Sequence, residues 1–506
     1  MNNLKDNGNH NRVNPFPGLR YYTIEEAAYY YIEPRKQNEI LTQLIEDNFL
    51  VAAGKPGCGK ASVLHCAIIP RLVPGLIGKA GENWVWTLFR PGTNPVRNLA
   101  EHLANCGIFL NGGSIDLNFA DDLEKILRAS SDGLFNIFNE YPTKEGHNLF
   151  LAIDELEDIF ILHELMQQDD DITIFVNLLL RFLEYGHPNV YMMWALDSTF
   201  LGESAQYPRL PEAINRGQYL LTIPDKSQLR KLIKHAFKAA NIDVDDYLIE
   251  HIINTYASDS THLYSLQQVL KRFVDRYWAD GSRPDKITME YFAKEVQTLE
   301  TLVTRSKLNS EVETRASNAI EVHAEEIYES FTDREQKICE VLFKVITKDL
   351  YFGLDQSLAI SINRLAGIAE CRTNEMIKVI STFFKKELFL LHIVGADGIE
   401  GRLEALAKIS DNPYPELTPH SKVMLLNPVF IKLWKRLDYW KRVEREDAEI
   451  YLRLTEAESI YTKNGKVGLY IDPQLSEAVK WRDDGFHNKE WSSRYALGYE
   501  DVLVYL

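Results

Sequence analysis

Asn48-Phe-Leu-Val-Ala-Ala53, then Gly54-Lys55-Pro56-Gly57-Cys58-Gly59-Lys60-Ala61, then Ser62-Val-Leu-His-Cys-Ala-Ile-Ile69, is the run that decides the fold. Its first part is apolar and of strand length, and its last part reads as a buried helix ending before Pro70. Between them lies Gly-x4-Gly-Lys. In such a loop backbone N–H groups cradle the α- and β-phosphates of a nucleotide, the lysine ammonium reaches the β- and γ-phosphates, and a Ser or Thr hydroxyl holds Mg²⁺. The N-terminus of the helix adds partial positive charge. Gly54, Pro56, Gly57, Cys58, Gly59, Lys60, Ala61 and Ser62 are therefore the candidate phosphate-binding residues. An ordinary glycine-rich turn is the alternative for the string alone, and the flanking strand and helix argue against it. Ala61 stands where the hydroxyl belongs, so the cradle is kept and a metal ligand is lost.

A second apolar run, Asn148-Leu-Phe-Leu-Ala-Ile-Asp154-Glu155-Leu156-Glu157-Asp158, ends in acid. It suits a strand covered on both faces of a parallel sheet, with Asp154 emerging at the carboxyl end where open α/β sheets place ligands. Asp154 is the candidate Mg²⁺ ligand, through water, and Glu155 or Glu157 the candidate to orient or deprotonate an attacking water. An acidic first helical turn that merely stabilises the helix start is the plainer reading of Glu157 and Asp158.

The chain has 506 residues, long enough for two to four domains, and 45% hydrophobic with 25% charged residues is ordinary for a globular protein. A net charge of −17 argues against general affinity for nucleic acid or anionic membrane. Five cysteines make neither a metal spacing nor an even disulfide set, which fits a reducing, cytoplasmic compartment. No signal peptide and no apolar stretch of spanning length is visible.

Residues 1–13 read as a disordered leader. Asn14-Pro-Phe-Pro-Gly-Leu-Arg20 reads as a rigid extended segment leading to an aromatic-rich helix around Ala27–Tyr31 and an amphipathic helix, Arg35 to Asp47. Trp84–Phe89 and Val190–Leu196 read as further strands, and Val96–Leu103 and Ile172–Tyr185 as helices, so residues 14–224 are expected to form an α/β layer around a parallel sheet. Residues 225–300 read as helical, with helices Ser227–Ala239, Asp245–Tyr256 and Leu263–Trp278. Over 301–428 a linker helix near Thr304–Glu321 precedes helices Asp333–Val345, Ile362–Ala369 and Asn374–Lys386 and a strand Leu388–His392, a succession like a winged helix. The rest, 429–506, reads as a C-terminal helical region with one long helix, Phe430–Ile460.

These residues resemble the first class of novel STAND NTPases, signalling ATPases of the AAA-related P-loop group, from about Asn14 to the C-terminus. The resemblance is carried by Asn14–Arg20, the phosphate loop, Arg90-Pro-Gly92, Asp154-x-x-Glu157 with Phe160, Phe200-Leu-Gly-Glu-Ser-Ala-Gln-Tyr-Pro208, Leu210-Pro-Glu-Ala-Ile-Asn-Arg-Gly-Gln-Tyr-Leu220, Leu266-Gln-Gln268 and the helix containing Trp434. It implies an α/β P-loop core followed by an all-α lid, a winged helix and a helical C-terminal region, closing around ATP or ADP. It further implies release on sensing, self-assembly, and action through an effector or sensor protein, here a separate polypeptide, in a pathway such as bacterial defence or cell death.

Departures from the family pattern gather at the chemistry. Ala61 lacks the Mg²⁺ hydroxyl, and Ser62 is turned about a hundred degrees around the helix. Asp197-Ser198-Thr199 stands where the family tends to Arg-Ser-Asp, so a cation that senses phosphate becomes an acid. Pro34-Arg35-Lys36 replaces a Gly-Arg-Glu associated with base and ribose, which makes Arg35 the remaining nucleotide candidate there. A winged-helix Ser-His-Glu reads Leu426-Asn427-Pro428. Because phosphoryl transfer depends on positioned charge, these losses point to nucleotide binding with weak or absent hydrolysis. The alternatives are an active ATPase using Lys60, Asp154 and Glu155, and a DNA-binding regulator using Lys432, Lys435, Arg436, Lys441 and Arg442. Against the second stands the interleaving of those cations with Asp438, Glu444 and Glu446.

Overall fold

The computed structural model describes residues 13–72, 83–92, 94–110, 117–160, 169–256, 262–280, 284–294, 319–347, 360–388, 390–394, 417–426, 429–463, 469–484 and 487–506. All but the last residue of the expected leader and nearly all of the expected linker helix lie outside these. The chain divides into two compact units, residues 1–301 and 302–506.

In the first unit the apolar runs become β1 (Phe49–Gly54), β2 (Trp84–Phe89), β3 (Asn148–Ile153), β4 (Val190–Asp197) and β5 (Gln218–Leu220). They form one parallel sheet in the order β2-β3-β4-β1-β5. β1, β3 and β4 are buried at every residue, as strands covered on both faces must be. Register sets Gly54 beside Asp197, Ile153 beside Trp194 and Phe89 beside Ile153. The carboxyl ends of the strands thus bring the phosphate loop, Arg90, Asp154 and Asp197 to one sheet edge.

Helices α1 (Pro34–Asp47), α2 (residues 60–72), α3 (Pro95–Asn105), α4 (Leu117–Ala129), α5 (Gly133–Glu140), α6 (Asp169–Tyr185) and α7 (Leu210–Gly217) accompany the sheet. Pro70 does not end α2. Residues Val63–Ile68 form a π-helical turn, and the α-helical stretch that resumes at Ile69 takes Pro70 in its first turn, where its lack of an N–H costs little. Gln37 of α1 donates to the Ala67 carbonyl at 2.7 Å, satisfying one acceptor of the widened turn. No helix covers Ala27–Tyr31: a 3₁₀ turn at Ile24–Glu26, closed by a capping box from Thr23, is followed by turns. α4 and α5 were not foreseen, and they build a ring cluster from Phe109, Phe119, Phe138 and Tyr141. Gly217, at the end of α7, is required by a close approach: a Cβ there would lie 2.6 Å from the Phe49 ring.

The helical part that follows consists of α8 (Lys226–Ala239), α9 (Asp246–Tyr256) and α10 (His262–Ala279). The Pro-rich N-terminal strap is clasped to it. Asn14 donates to the Lys271 carbonyl (2.9 Å) and the Asp275 carboxylate (2.7 Å), and Phe16 packs edge-on against Phe237. Gly18, at φ +76°, lies so near α10 that a Cβ would meet Lys271 at 2.7 Å.

The second unit contains α11 (Ala319–Glu329), α12 (Asp333–Ile346), α13 (Ile362–Ile368) and α14 (Thr373–Lys385), with a three-stranded antiparallel sheet of Ile360–Ser361, Lys422–Leu425 and Leu391–Val394 in that order across it. The long helix is two: α15 (Val429–Leu433) and α16 (Lys435–Lys463), parted at Trp434. The Trp434 indole donates to Glu325 at 2.7 Å and Arg436 pairs with the same carboxylate at 2.7 Å. α17 (Gln474–Asp484), α18 (Lys489–Ser492) and α19 (Tyr499–Tyr505) complete it.

Candidate functional site

The loop between β1 and α2 has the backbone its sequence asks for. Gly57 and Gly59 sit at φ +79° and +95°, the left-handed region that favours glycine, and Gly59 caps α2 so that Lys60 opens the helix. Gly54 is held by contact: a Cβ would be 2.5 Å from the Cys58 sulfur and 2.7 Å from the Leu221 carbonyl oxygen. Cys58 is buried, and burial pushes its thiol pKa up, so it fills space and is not a poised nucleophile. The Lys60 ammonium donates to the Gly54 carbonyl at 2.8 Å, folded back across the loop. Amides at a helix start with an adjacent ammonium match a polyphosphate.

Ala61 presents a methyl, and the Ser62 hydroxyl does not replace the missing ligand. It accepts the Tyr22 N–H at 3.2 Å and is buried beneath the strap. Arg35 lies on the outer side of α1, its side chain 89% exposed and paired with Glu39 at 2.9 Å.

The acidic edge is already engaged. Asp154 is buried, and burial raises its pKa while the Arg90 guanidinium, 3.8 Å away, opposes the rise. The same guanidinium pairs with Glu155 at 3.1 Å, and Glu155 holds a left-handed backbone at φ +51°. Glu157 accepts the Asp197 N–H at 3.0 Å; burial pushes its pKa up to about 8, so the carboxyl is largely protonated near neutrality. Asp197 caps the turn at Ser198–Phe200, accepting both the N–H and the hydroxyl of Thr199 at 2.9 Å. The expected acid at the sensor position is thus tied into its own turn.

This arrangement fits a nucleotide phosphate and fits Mg²⁺ poorly. The loop offers donors, whereas the three groups that would hold or approach the metal are a methyl, a hydroxyl bonded elsewhere and a carboxylate facing a guanidinium. Among the described residues no group of three or more His, Cys, Asp and Glu is arranged to hold a metal ion. The described histidines His65 and His102 are core groups, each lowered by burial to a pKa of about 4 and stacked on Tyr21 and Phe89.

Two contributors were not singled out from sequence as site residues. Arg90 belongs to the quoted Arg-Pro-Gly string, which shows no partner until β2 and β3 are set side by side. Tyr264 of α10 lies against the phosphate loop, and a Cβ on Gly57 would be 2.9 Å from its hydroxyl. No local pattern marks a lone tyrosine two hundred residues from the loop it covers.

Among solved structures the chain is similar to the Aeropyrum pernix ORC2 protein in its ADPNP-ADP complexes, at 13% identity over 82% of this chain and 97% of that one, TM-score 0.40. It is similar also to the Walker-type ATPase PABY2304 of Pyrococcus abyssi, at 14% identity over 82% and 99%, TM-score 0.34. A third is the Thermotoga maritima RuvB Holliday junction branch migration motor, at 15% identity over 76% and 98%, TM-score 0.31. No curated protein matches the chain in sequence. No described helix is long and apolar enough to cross a membrane. The family model of novel STAND NTPase 1 matches residues 15–467, from the strap through the five-stranded core to the end of α16, and the chain belongs to that family.

Proposed function

We propose that this chain is a nucleotide-held switch: it binds ATP or ADP with weak or absent hydrolysis and acts through a separate effector or sensor protein, with self-assembly and a role in bacterial defence or cell-death signalling as the wider setting. The observation that carries the reading is the contrast within one site. The phosphate loop keeps its glycine conformations, its lysine and its helix start, while the groups that would activate water are committed elsewhere. Glu155 is paired with Arg90, and Glu157 carries a proton where a general base must be free of one. Tyr264, on the helical lid, lies on the loop, which suits a lid that responds to phosphate occupancy.

In the second unit the succession α12, short strand, α13, α14 and two antiparallel strands supports a winged-helix unit used for protein contact. The DNA-binding alternative has less support, since Arg436 is largely buried against Glu325 and Lys435 faces Glu321 at 3.8 Å. Calorimetry on the full chain tests the proposal. ATP or ADP is expected to bind, with affinity falling about tenfold or more in Lys60→Ala, a loss of at least ~1.4 kcal/mol, and with no sustained phosphate release. Steady turnover abolished by that substitution establishes the active ATPase instead. No heat with either nucleotide removes the nucleotide role.

A further inference from the structure

We infer that nucleotide binding at this site does not depend on a divalent cation, because Arg90 occupies the electrostatic position that Mg²⁺ would fill; the inference rests on the nucleotide reading above. In a phosphate-loop site the metal does two things: it neutralises the carboxylate at the end of the neighbouring strand and it neutralises phosphate oxygens. Here the first task is done by the protein. The Arg90 side chain, 18% exposed, sets one guanidinium nitrogen 3.1 Å from Glu155 and 3.8 Å from Asp154. A hydrated cation bound by Asp154 would have to displace that guanidinium or sit beside it, like charge against like charge.

The hydroxyl side of the metal shell is equally closed. Ala61 has no oxygen, and Ser62 is turned beneath the strap, where its oxygen accepts the Tyr22 N–H. Restoring a metal would therefore require breaking a buried hydrogen bond on one side and an ion pair on the other. Phosphate charge can be met without it, by the Lys60 ammonium and the amides at the start of α2.

Titration calorimetry of the full chain with ADP and with ATP, once in EDTA and once in excess Mg²⁺, tests this directly. The wild-type dissociation constants are expected to agree within about threefold between the two buffers, less than the tenfold that 1.4 kcal/mol would give. Arg90→Gln bares Asp154 and Glu155. It is expected to weaken binding about tenfold in EDTA and to recover most of that loss in Mg²⁺, so that the variant acquires the metal dependence the parent lacks. Arg90→Lys is expected to stay close to wild type in both buffers. Wild-type binding that tightens tenfold or more with Mg²⁺ overturns the inference and leaves the nucleotide reading standing, as does Arg90→Gln binding like wild type in EDTA. No binding in either buffer overturns the nucleotide reading itself. Should Arg90→Gln fail to fold, the wild-type comparison decides alone.

Discussion

Glu157 in the first unit and Glu444 in the second both carry their carboxyl groups inside the protein, and their surroundings are opposite. Glu444 on α16 takes the Trp491 indole N–H at 3.0 Å, the Arg494 guanidinium at 2.9 Å and the Tyr495 hydroxyl at 2.6 Å. Glu157 takes the Asp197 backbone N–H at 3.0 Å, and burial raises its pKa to about 8. A buried carboxylate met by a guanidinium and two side-chain donors is a structural knot; one whose burial outweighs its hydrogen bonds sheds its charge by taking up a proton. The second unit spends its charge on cohesion, as Glu325 with Trp434 and Arg436 also shows, whereas at the strand edge of the first burial raises the pKa of both Asp154 and Glu157. That imbalance is common where a site waits for a ligand.

Substitutions at three positions can break or sharpen this contrast. Glu444→Ala leaves Arg494, itself buried, without its carboxylate, and a loss of about 3–5 kcal/mol is expected in denaturant unfolding of the second unit. A loss below about 1 kcal/mol would show the knot to be ornamental. Glu157→Gln acts in the other direction. Because the folded pKa lies above the unfolded value, wild-type stability is full below about pH 4.5 and falls as pH rises toward 8, by at most about 1.4 kcal/mol per pH unit. The amide, which cannot ionise, is expected to match wild type at pH 4.5 and to melt higher at pH 8; parallel melting curves across that range would refute the assignment. The smallest effect belongs to Asp197→Ala, which removes a cap from a short turn and is expected to cost about 1 kcal/mol by thermal unfolding, with Asp197→Asn near zero.

Where a local pattern was strong, the sequence carried the fold. The apolar runs at β1, β3 and β4 could only be covered strands, and the three-and-four spacing marked α8 and α9 to within a residue. Pro70 misled because a π turn shifts the hydrogen-bond register just before it. The aromatic stretch Ala27–Tyr31 looked helical, yet its rings are spent on separate neighbours, Tyr30 on Tyr22 and Tyr31 on His235, which no regular helix face would serve. In the site, the conformation of the loop was legible because glycines at positive φ and a helix start are local backbone properties. The fates of Ser62, Arg90 and Tyr264 were not, since each depends on a partner supplied by another element: the strap, the end of β3 and the loop after β1.

The strap joins two of these elements. It is bonded to α10 through Asn14 and packed on it at Gly18, and a few residues later Tyr22 donates its N–H to Ser62, two positions past Lys60. A tether fixed at both ends converts displacement at one into tension at the other. Any separation of α10 from α2 would therefore have to unclasp residues 14–18 or break the Tyr22–Ser62 bond at the first turn of α2.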